Sequence, residues 1–299
     1  MIYPKRLGQG DKIAIVSPAS RIKPEYVDGA CRVIEQMGYV PVVSEHCKGM
    51  SGGYSGTVQQ RVDDFLQALH DDSVRAILCS RGGYGAVHLL EYLDADDIAS
   101  NAKWLIGFSD ISALHAAMVN AGVVSVHASM AKHLTLFGAD DYATTVLRGI
   151  LQGELPRYEV PSHDYNKCGV VEGRLTGGNM AVLTGLLDTE YDLLSQGDIL
   201  FIEDVGEPVY KIERMLYNLR LSGVLPMLGG MIVGRFTEYA NPDGNGESME
   251  QMVRRMMKPY DIPMAFDFPV GHIDENVPML EGADVRLEVT DNVTTLKYI

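Results

Sequence analysis

The stretch Trp104-Leu105-Ile106-Gly107-Phe108-Ser109-Asp110-Ile111-Ser112-Ala113-Leu114-His115 opens with large apolar residues, passes a glycine and reaches a serine. Beyond Ser109 the spacing turns helical: Ile111, Leu114 and Met118 share one stripe, and Gly122 supplies a stop. A buried strand, a tight turn and a helix therefore follow one another. A serine at such a turn is lifted from the carboxyl end of the strand, and the backbone N–H of the next residue, Asp110, can serve as an oxyanion donor. The match to G-x-S-x-G is incomplete, because Ile111 stands where the last glycine belongs. Ser and Asp are also the commonest helix caps, and on this stretch alone the cap is the commoner reading.

Serine becomes a nucleophile at neutral pH only beside a base, usually a histidine that a carboxylate orients. His70, His88, His115 and His133 fall in or beside helical segments and read as surface or packing groups, while His46 and His163 lie in polar loops. His127 and His272 remain at strand ends, the latter preceded by Gly271 and followed by Asp274, Glu275 and Asn276. Among the acids Glu203 stands out, closing the apolar run Ile199-Leu200-Phe201-Ile202. It is either a buried carboxylate in need of partners or a surface acid at a strand terminus. Ser80-Arg81-Gly82-Gly83-Tyr84-Gly85-Ala86 matches neither G-x-G-x-x-G nor a Walker pattern, so it argues only weakly for a dinucleotide. Gly83 either lets a backbone N–H approach a substrate oxygen or belongs to a plain turn.

These groups need positioning. Runs of strand character at Lys12–Pro18, Val40–Val43, Val74–Leu78, the Trp104 stretch and Val123–His127 alternate with helical segments at Glu25–Gly38, Thr57–His70, Ala86–Leu93 and up to Asn120. Thr57 and Gln60 fit a capping box. The alternation predicts a doubly wound parallel sheet, whose ligands bind beyond the carboxyl ends of the strands, where Ser17, Arg81 to Gly85, Ser109 and His127 fall. The turn-rich segment from Gly153 to Gly169 marks the domain boundary, giving an N-terminal domain over 1–160 and a C-terminal one over 161–299. In the second domain strands are expected at 170–175, 198–204, 230–236 and 263–269, with a terminal hairpin over 285–289 and 294–298. Helices are expected from Gly177-Gly178-Asn179, at 208–221, and at 248–260, where methionines fill the core.

The 299 residues are 46% hydrophobic and 22% charged, an ordinary globular composition, and carry a net charge of −15. Such an acidic surface argues against nucleic acid and anionic membranes as partners. No apolar run approaches the roughly 20 residues of a bilayer span, and the first residues lack a signal-length apolar stretch, so a cytoplasmic protein is expected. Cys31, Cys47, Cys79 and Cys168 are scattered without C-x-x-C spacing and suggest neither zinc nor disulfides.

Gly107-Phe108-Ser109-Asp110, the Ser80 to Gly85 loop, Leu200-Phe201-Ile202-Glu203-Asp204 with Glu207-Pro208-Val209-Tyr210, and Phe268-Pro269-Val270-Gly271-His272 together resemble the LD-carboxypeptidase family. The likeness extends from Gly10-Asp11-Lys12 to the final hairpin, and four motifs in order make it specific. It implies a nucleophile at Ser109, a glutamate at Glu203, a general base at His272, and oxyanion donors from the backbone of Gly83 and Asp110. It also implies a flavodoxin-like N-terminal domain, a smaller β-rich α/β C-terminal domain, and a homodimer. The activity implied is removal of the terminal D-alanine from murein tetrapeptides during cell-wall recycling, by acyl transfer without metal or cofactor.

With Ser109 in one domain and the other two residues in the next, the substrate is expected in the cleft between them. Arg81 or Lys211 is a candidate for binding the peptide's terminal carboxylate, on charge alone. The sequence departs from the family at His127-Ala128-Ser129, where relatives tend to His-Gly-Pro, and at Met279-Leu280-Glu281-Gly282, where they tend to a proline-glycine pair. Two alternatives remain. A microcin-immunity hydrolase would cut a peptide–nucleotide amide, and the absence of an obvious nucleotide-stacking tryptophan leans away from it. A non-catalytic α/β binding protein would need Glu203 and His272 to lie far apart.

Overall fold

The computed structural model describes residues 1–239 and 246–299. It contains strands β1 (Lys12–Val16), β2 (Val40–Val43), β3 (Val74–Cys79), β4 (Trp104–Gly107), β5 (Ser125–His127), β6 (Arg157–Pro161) and β7 (Gly169–Asn179). These are followed by β8 (Ile199–Val205), β9 (Gly230–Thr237), β10 (Met264–Ala265), β11 (Met279–Glu281), β12 (Asp284–Val289) and β13 (Val293–Tyr298). The chain divides into two compact units, Met1–Leu155 with Asp274–Gly282, and Pro156–Ile273 with Ala283–Ile299.

In the first unit the sheet order is β11-β5-β4-β3-β1-β2, and every pair from β2 to β5 is parallel. That is the flavodoxin-like order, with its reversal between β1 and β3. Helices cover both faces of such a sheet, so its inner strands read as nearly unbroken apolar runs: Ile13 to Val16, Ala76 to Cys79 and Trp104 to Ile106 are all buried. The helix Val58–His70 starts on the expected capping box, with both the Thr57 and Gln60 halves formed. β11 adds antiparallel to β5 in the register Met279↔His127, Leu280↔Val126, Glu281↔Ser125. Sequence reading placed these residues in the second domain and saw no strand in them. Three residues between Pro278 and Gly282 are too few for a period to show. The short helices Ala95–Ser100 and Ala131–Phe137 also went unread.

The second unit holds a seven-stranded mixed sheet, β10-β9-β8-β7-β12-β13-β6, parallel from β10 to β7 and antiparallel beyond. The hairpin of β12 and β13 lies where expected. β6 falls inside the segment read as a boundary. β7 runs on through Gly177 and Gly178, read as a helix start, because the missing Cβ lets β8 close in. A Cβ on Gly177 would lie 2.0 Å from the Phe201 carbonyl oxygen. The helix Met249–Met257 buries Met249, Met252, Met256 and Met257, as core filler should. Among the described residues no helix is long and apolar enough to cross a membrane.

Candidate active site

In the first unit β4 ends at Gly107, and Ser109 opens a single 3₁₀ turn, Ser109–Ile111, ahead of the helix Ser112–Asn120. Ser109 has φ 66°, a left-handed conformation that costs a residue with a side chain about 1–2 kcal/mol and persists only where neighbours enforce it. Those neighbours are visible. The Gly107 carbonyl accepts from the Ala128 amide at 2.9 Å and from His115 Nε2 at 2.9 Å. A carbonyl can only accept, so His115 carries its proton on Nε2, and Nδ1 accepts from Ser125 Oγ at 2.7 Å. Burial pulls the His115 pKa down to about 4, so the ring is a neutral brace for the turn. It is one of the histidines expected as surface or packing groups, and it is fully buried with two polar duties.

The glycine loop packs on that turn. A Cβ on Gly82 would stand 3.1 Å from Ser109 Cβ and 3.2 Å from the Asp110 amide nitrogen. Gly83 has φ 102°, and a Cβ there would fall 2.4 Å from Ser20 Oγ. Ser20 in turn clamps the loop, its amide donating to the Gly82 carbonyl at 3.3 Å and its Oγ accepting from the Tyr84 amide at 3.1 Å. The structure thus brings Ser109, Asp110 and the Gly82-Gly83 backbone together. The caps of the turn and the helix are Phe108 and Ile111, neither with a side-chain cap bond. The Asp110 carboxylate instead accepts from the Ala86 amide at 2.8 Å.

In the second unit Glu203 lies near the end of β8, in parallel register with Asn179 of β7, and is fully buried. Its Oε2 is 2.7 Å from His272 Nδ1. A carboxylate accepts there, so Nδ1 carries the proton and Nε2 is left as the basic edge. Gly271 makes room for this pair: a Cβ on it would meet the Arg235 carbonyl oxygen at 2.9 Å and Glu203 Cβ at 3.0 Å. Burial of His272 works against protonation, but the hydrogen bond and charge of Glu203, with Asp204 and Glu238 adding, raise its pKa above 6.5. Asp204 has different partners, accepting from Asn179 Nδ2 at 3.0 Å and from the amides of Ala181 and Val205 at 2.9 and 2.8 Å. Burial pushes its pKa up to about 6. The separation of Glu203 from His272 that a non-catalytic reading needs is absent.

Of the residues proposed for a substrate carboxylate, exposed Arg81 donates to the Arg21 carbonyl at 2.9 Å, and Lys211 is paired with Glu207 at 3.2 Å. His127, the other strand-end histidine, is fully buried with its ring edge-on to Phe108. Sequence reading missed Arg61, which is 2% exposed. The signal was present: Arg61 lies one helical turn from Phe65, on the stripe that otherwise faces the core. Among the described residues no group of three His, Cys, Asp or Glu side chains is arranged to hold a metal ion.

Residues 13–128 match the LD-carboxypeptidase N-terminal domain and 172–287 the LD-carboxypeptidase C-terminal domain. The chain belongs to the LD-carboxypeptidase family. A murein tetrapeptide carboxypeptidase of Pseudomonas aeruginosa is 31% identical over 93% of this chain and 93% of its own. The crystal structure of a muramoyltetrapeptide carboxypeptidase from Oxalobacter formigenes superposes with a TM-score of 0.89 at 26% identity, covering 96% of this chain and 98% of that one. The microcin C7 self-immunity protein of Escherichia coli is 27% identical over 94% of this chain and 92% of its own. As an LD-carboxypeptidase family member the chain is a hydrolase of the peptidase class.

Proposed function

We propose that this LD-carboxypeptidase family member is a serine carboxypeptidase that removes the terminal D-alanine from murein tetrapeptides at an L,D-peptide bond. The observation that carries the reading is the buried Glu203 carboxylate on His272 Nδ1, which leaves the imidazole's other nitrogen as a base. In the proposed reaction His272 takes the Ser109 hydroxyl proton as Oγ attacks the peptide carbonyl. The amides of Gly83 and Asp110 hold the oxyanion, a donor of this kind being worth about 3 kcal/mol of barrier. His272 then gives its proton to the leaving D-alanine amine, and water, deprotonated by the same ring, releases the acyl group from Ser109. Arg81, whose neighbour across its hydrogen bond is an uncharged carbonyl, is the better candidate for the substrate's terminal carboxylate, since Lys211 already has Glu207. The cytoplasmic location and the homodimer expected from the resemblance belong to this reading.

The buried tryptophan leans away from the microcin-type alternative: the chain's single tryptophan, Trp104, lies in β4 with its indole donating to the Lys5 carbonyl at 3.1 Å, so no indole is left to stack on a nucleobase. Mass spectrometry of a murein tetrapeptide incubated with wild type and with Ser109→Ala tests the proposal. Loss of D-alanine in wild type only is expected; equal release from both proteins overturns the serine mechanism.

A further inference from the structure

Asp110 touches the proposed oxyanion site twice. Its backbone follows Ser109 directly, and its side chain reaches across to the far end of the glycine loop. There Oδ2 accepts from the Ala86 amide at 2.8 Å, with Asp110 only 6% exposed and Ala86 fully buried. Ala86 begins the 3₁₀ segment Ala86–Tyr92, whose own cap position is Gly85, at φ 116° and without a side chain to offer. The carboxylate of Asp110 therefore does from another segment what a cap residue does locally.

Arg61 secures the same end of the loop from the other side. Its Nη1 donates to the Gly85 carbonyl at 2.8 Å and to the Pro18 carbonyl at 2.6 Å, and Nη2 donates to His88 Nδ1 at 3.0 Å. The guanidinium carbon lies 4.9 Å over the ring of Tyr54. Gly85 must be glycine to admit these groups, for its Cβ would stand 2.9 Å from Tyr54 and 3.0 Å from Nη1. One end of the loop, Gly82, rests on Ser109; the other end, Gly85-Ala86, hangs from Arg61 and Asp110. Gly83 lies between these two anchors.

We infer that the Asp110 side chain, assisted by Arg61, is a positioning device that sets the separation of the two oxyanion amides. It ties the loop carrying the Gly83 N–H to the residue that supplies the other N–H. The inference rests on the proposed oxyanion hole and adds to it the part that keeps its donors in register. Preorganised donors act through geometry, so slack in the loop lowers the rate of the chemical step without weakening ground-state binding.

The experiment compares wild type, Asp110→Ala, Asp110→Asn, Arg61→Lys and Ser109→Ala. Two readouts are taken: kcat and KM on a murein tetrapeptide, and the rate at which a fluorophosphonate labels the protein. In the labelling step a serine Oγ attacks phosphorus, fluoride leaves, and the phosphoryl oxygen occupies the oxyanion position. Asp110→Ala should lower kcat and the labelling rate together by about 10²-fold, as for loss of one donor, with KM unchanged. Asp110→Asn keeps an oxygen acceptor and should recover most of that loss. Arg61→Lys, whose single nitrogen cannot keep both the carbonyl bonds of Nη1 and the Nη2 bond to His88, should fall between them. Wild-type labelling by Asp110→Ala, or a raised KM at unchanged kcat, overturns the inference. Should Asp110→Ala fail to fold, Arg61→Lys decides alone, and a wild-type labelling rate in it has the same consequence. Undiminished labelling of Ser109→Ala would instead overturn the serine reading, and the inference with it.

Discussion

Around Ser109 the proposed machinery is backbone: a left-handed turn at φ 66°, the amides of Asp110 and Gly83 as proposed oxyanion donors, and a carbonyl at Gly107 held from two sides. Around His272 they are side chains: a fully buried carboxylate 2.7 Å from an imidazole, with Gly271 leaving them room. Backbone donors cannot be deleted by trimming a side chain, only displaced, either by adding a Cβ or by cutting a tether such as that of Asp110. A carboxylate–imidazole pair fails as soon as its charge is removed. The two regions should therefore respond mainly to opposite kinds of substitution, additions in the first and deletions in the second, the exceptions being Ser109 Oγ as the proposed nucleophile and the Asp110 and Arg61 side chains that hold the loop.

The largest effects are expected at the proposed nucleophile and at the charge behind the proposed base. Ser109→Ala should lower kcat by about 10⁶-fold and Glu203→Gln by about 10⁴-fold, the pattern of serine triads, measured as D-alanine release. A Glu203→Gln enzyme within tenfold of wild type would break the side of the comparison that depends on charge. Next comes an addition. Gly83→Ala places a methyl group 2.4 Å from Ser20 Oγ, and kcat should drop by about 10²–10³-fold with little change in KM. Unaltered kcat in that variant would mean the loop's amide takes no part.

A pH profile sharpens the contrast. The pKa of His272 is raised above 6.5 and its unprotonated ring is the proposed base, so kcat/KM should rise as pH climbs through that raised value. Glu203→Gln removes the group that raises it, and the acid limb should move to lower pH. Gly83→Ala should leave the limb where it is, since it touches no titrating group. A limb that moves with the loop substitution, or stays put in Glu203→Gln, would contradict the division. The smallest effect concerns binding alone: Arg81→Ala should raise KM about tenfold, the worth of a charge-assisted hydrogen bond, at unchanged kcat. Lys211→Ala should do far less, because Lys211 is already paired with Glu207.

Much of this was legible in the chain. Strands buried on both faces must be apolar throughout, so β1, β3 and β4 announce themselves, and a serine and a glycine loop after two of them point to one rim. The Thr57 capping box is local chemistry and is formed as read. On the sequence alone Glu203 is either a surface acid or a buried one. Alternation puts Glu203 and Asp204 on opposite faces, but only the fold supplies His272 to the first and Asn179 to the second.

Local rules determined the parallel α/β order, the turn at Ser109 and the apolar strand that carries Glu203, because each depends on neighbours within a few positions. Tertiary structure alone decided that Asp110 caps a turn more than twenty positions upstream, that residues 279–281 complete the first sheet rather than belonging to the second domain, and that His115 braces the Gly107 carbonyl. Those outcomes pair groups whose separation along the chain carries no periodic signal. Satisfying buried polar groups is a requirement on the whole packed interior, and no single stretch of residues contains it.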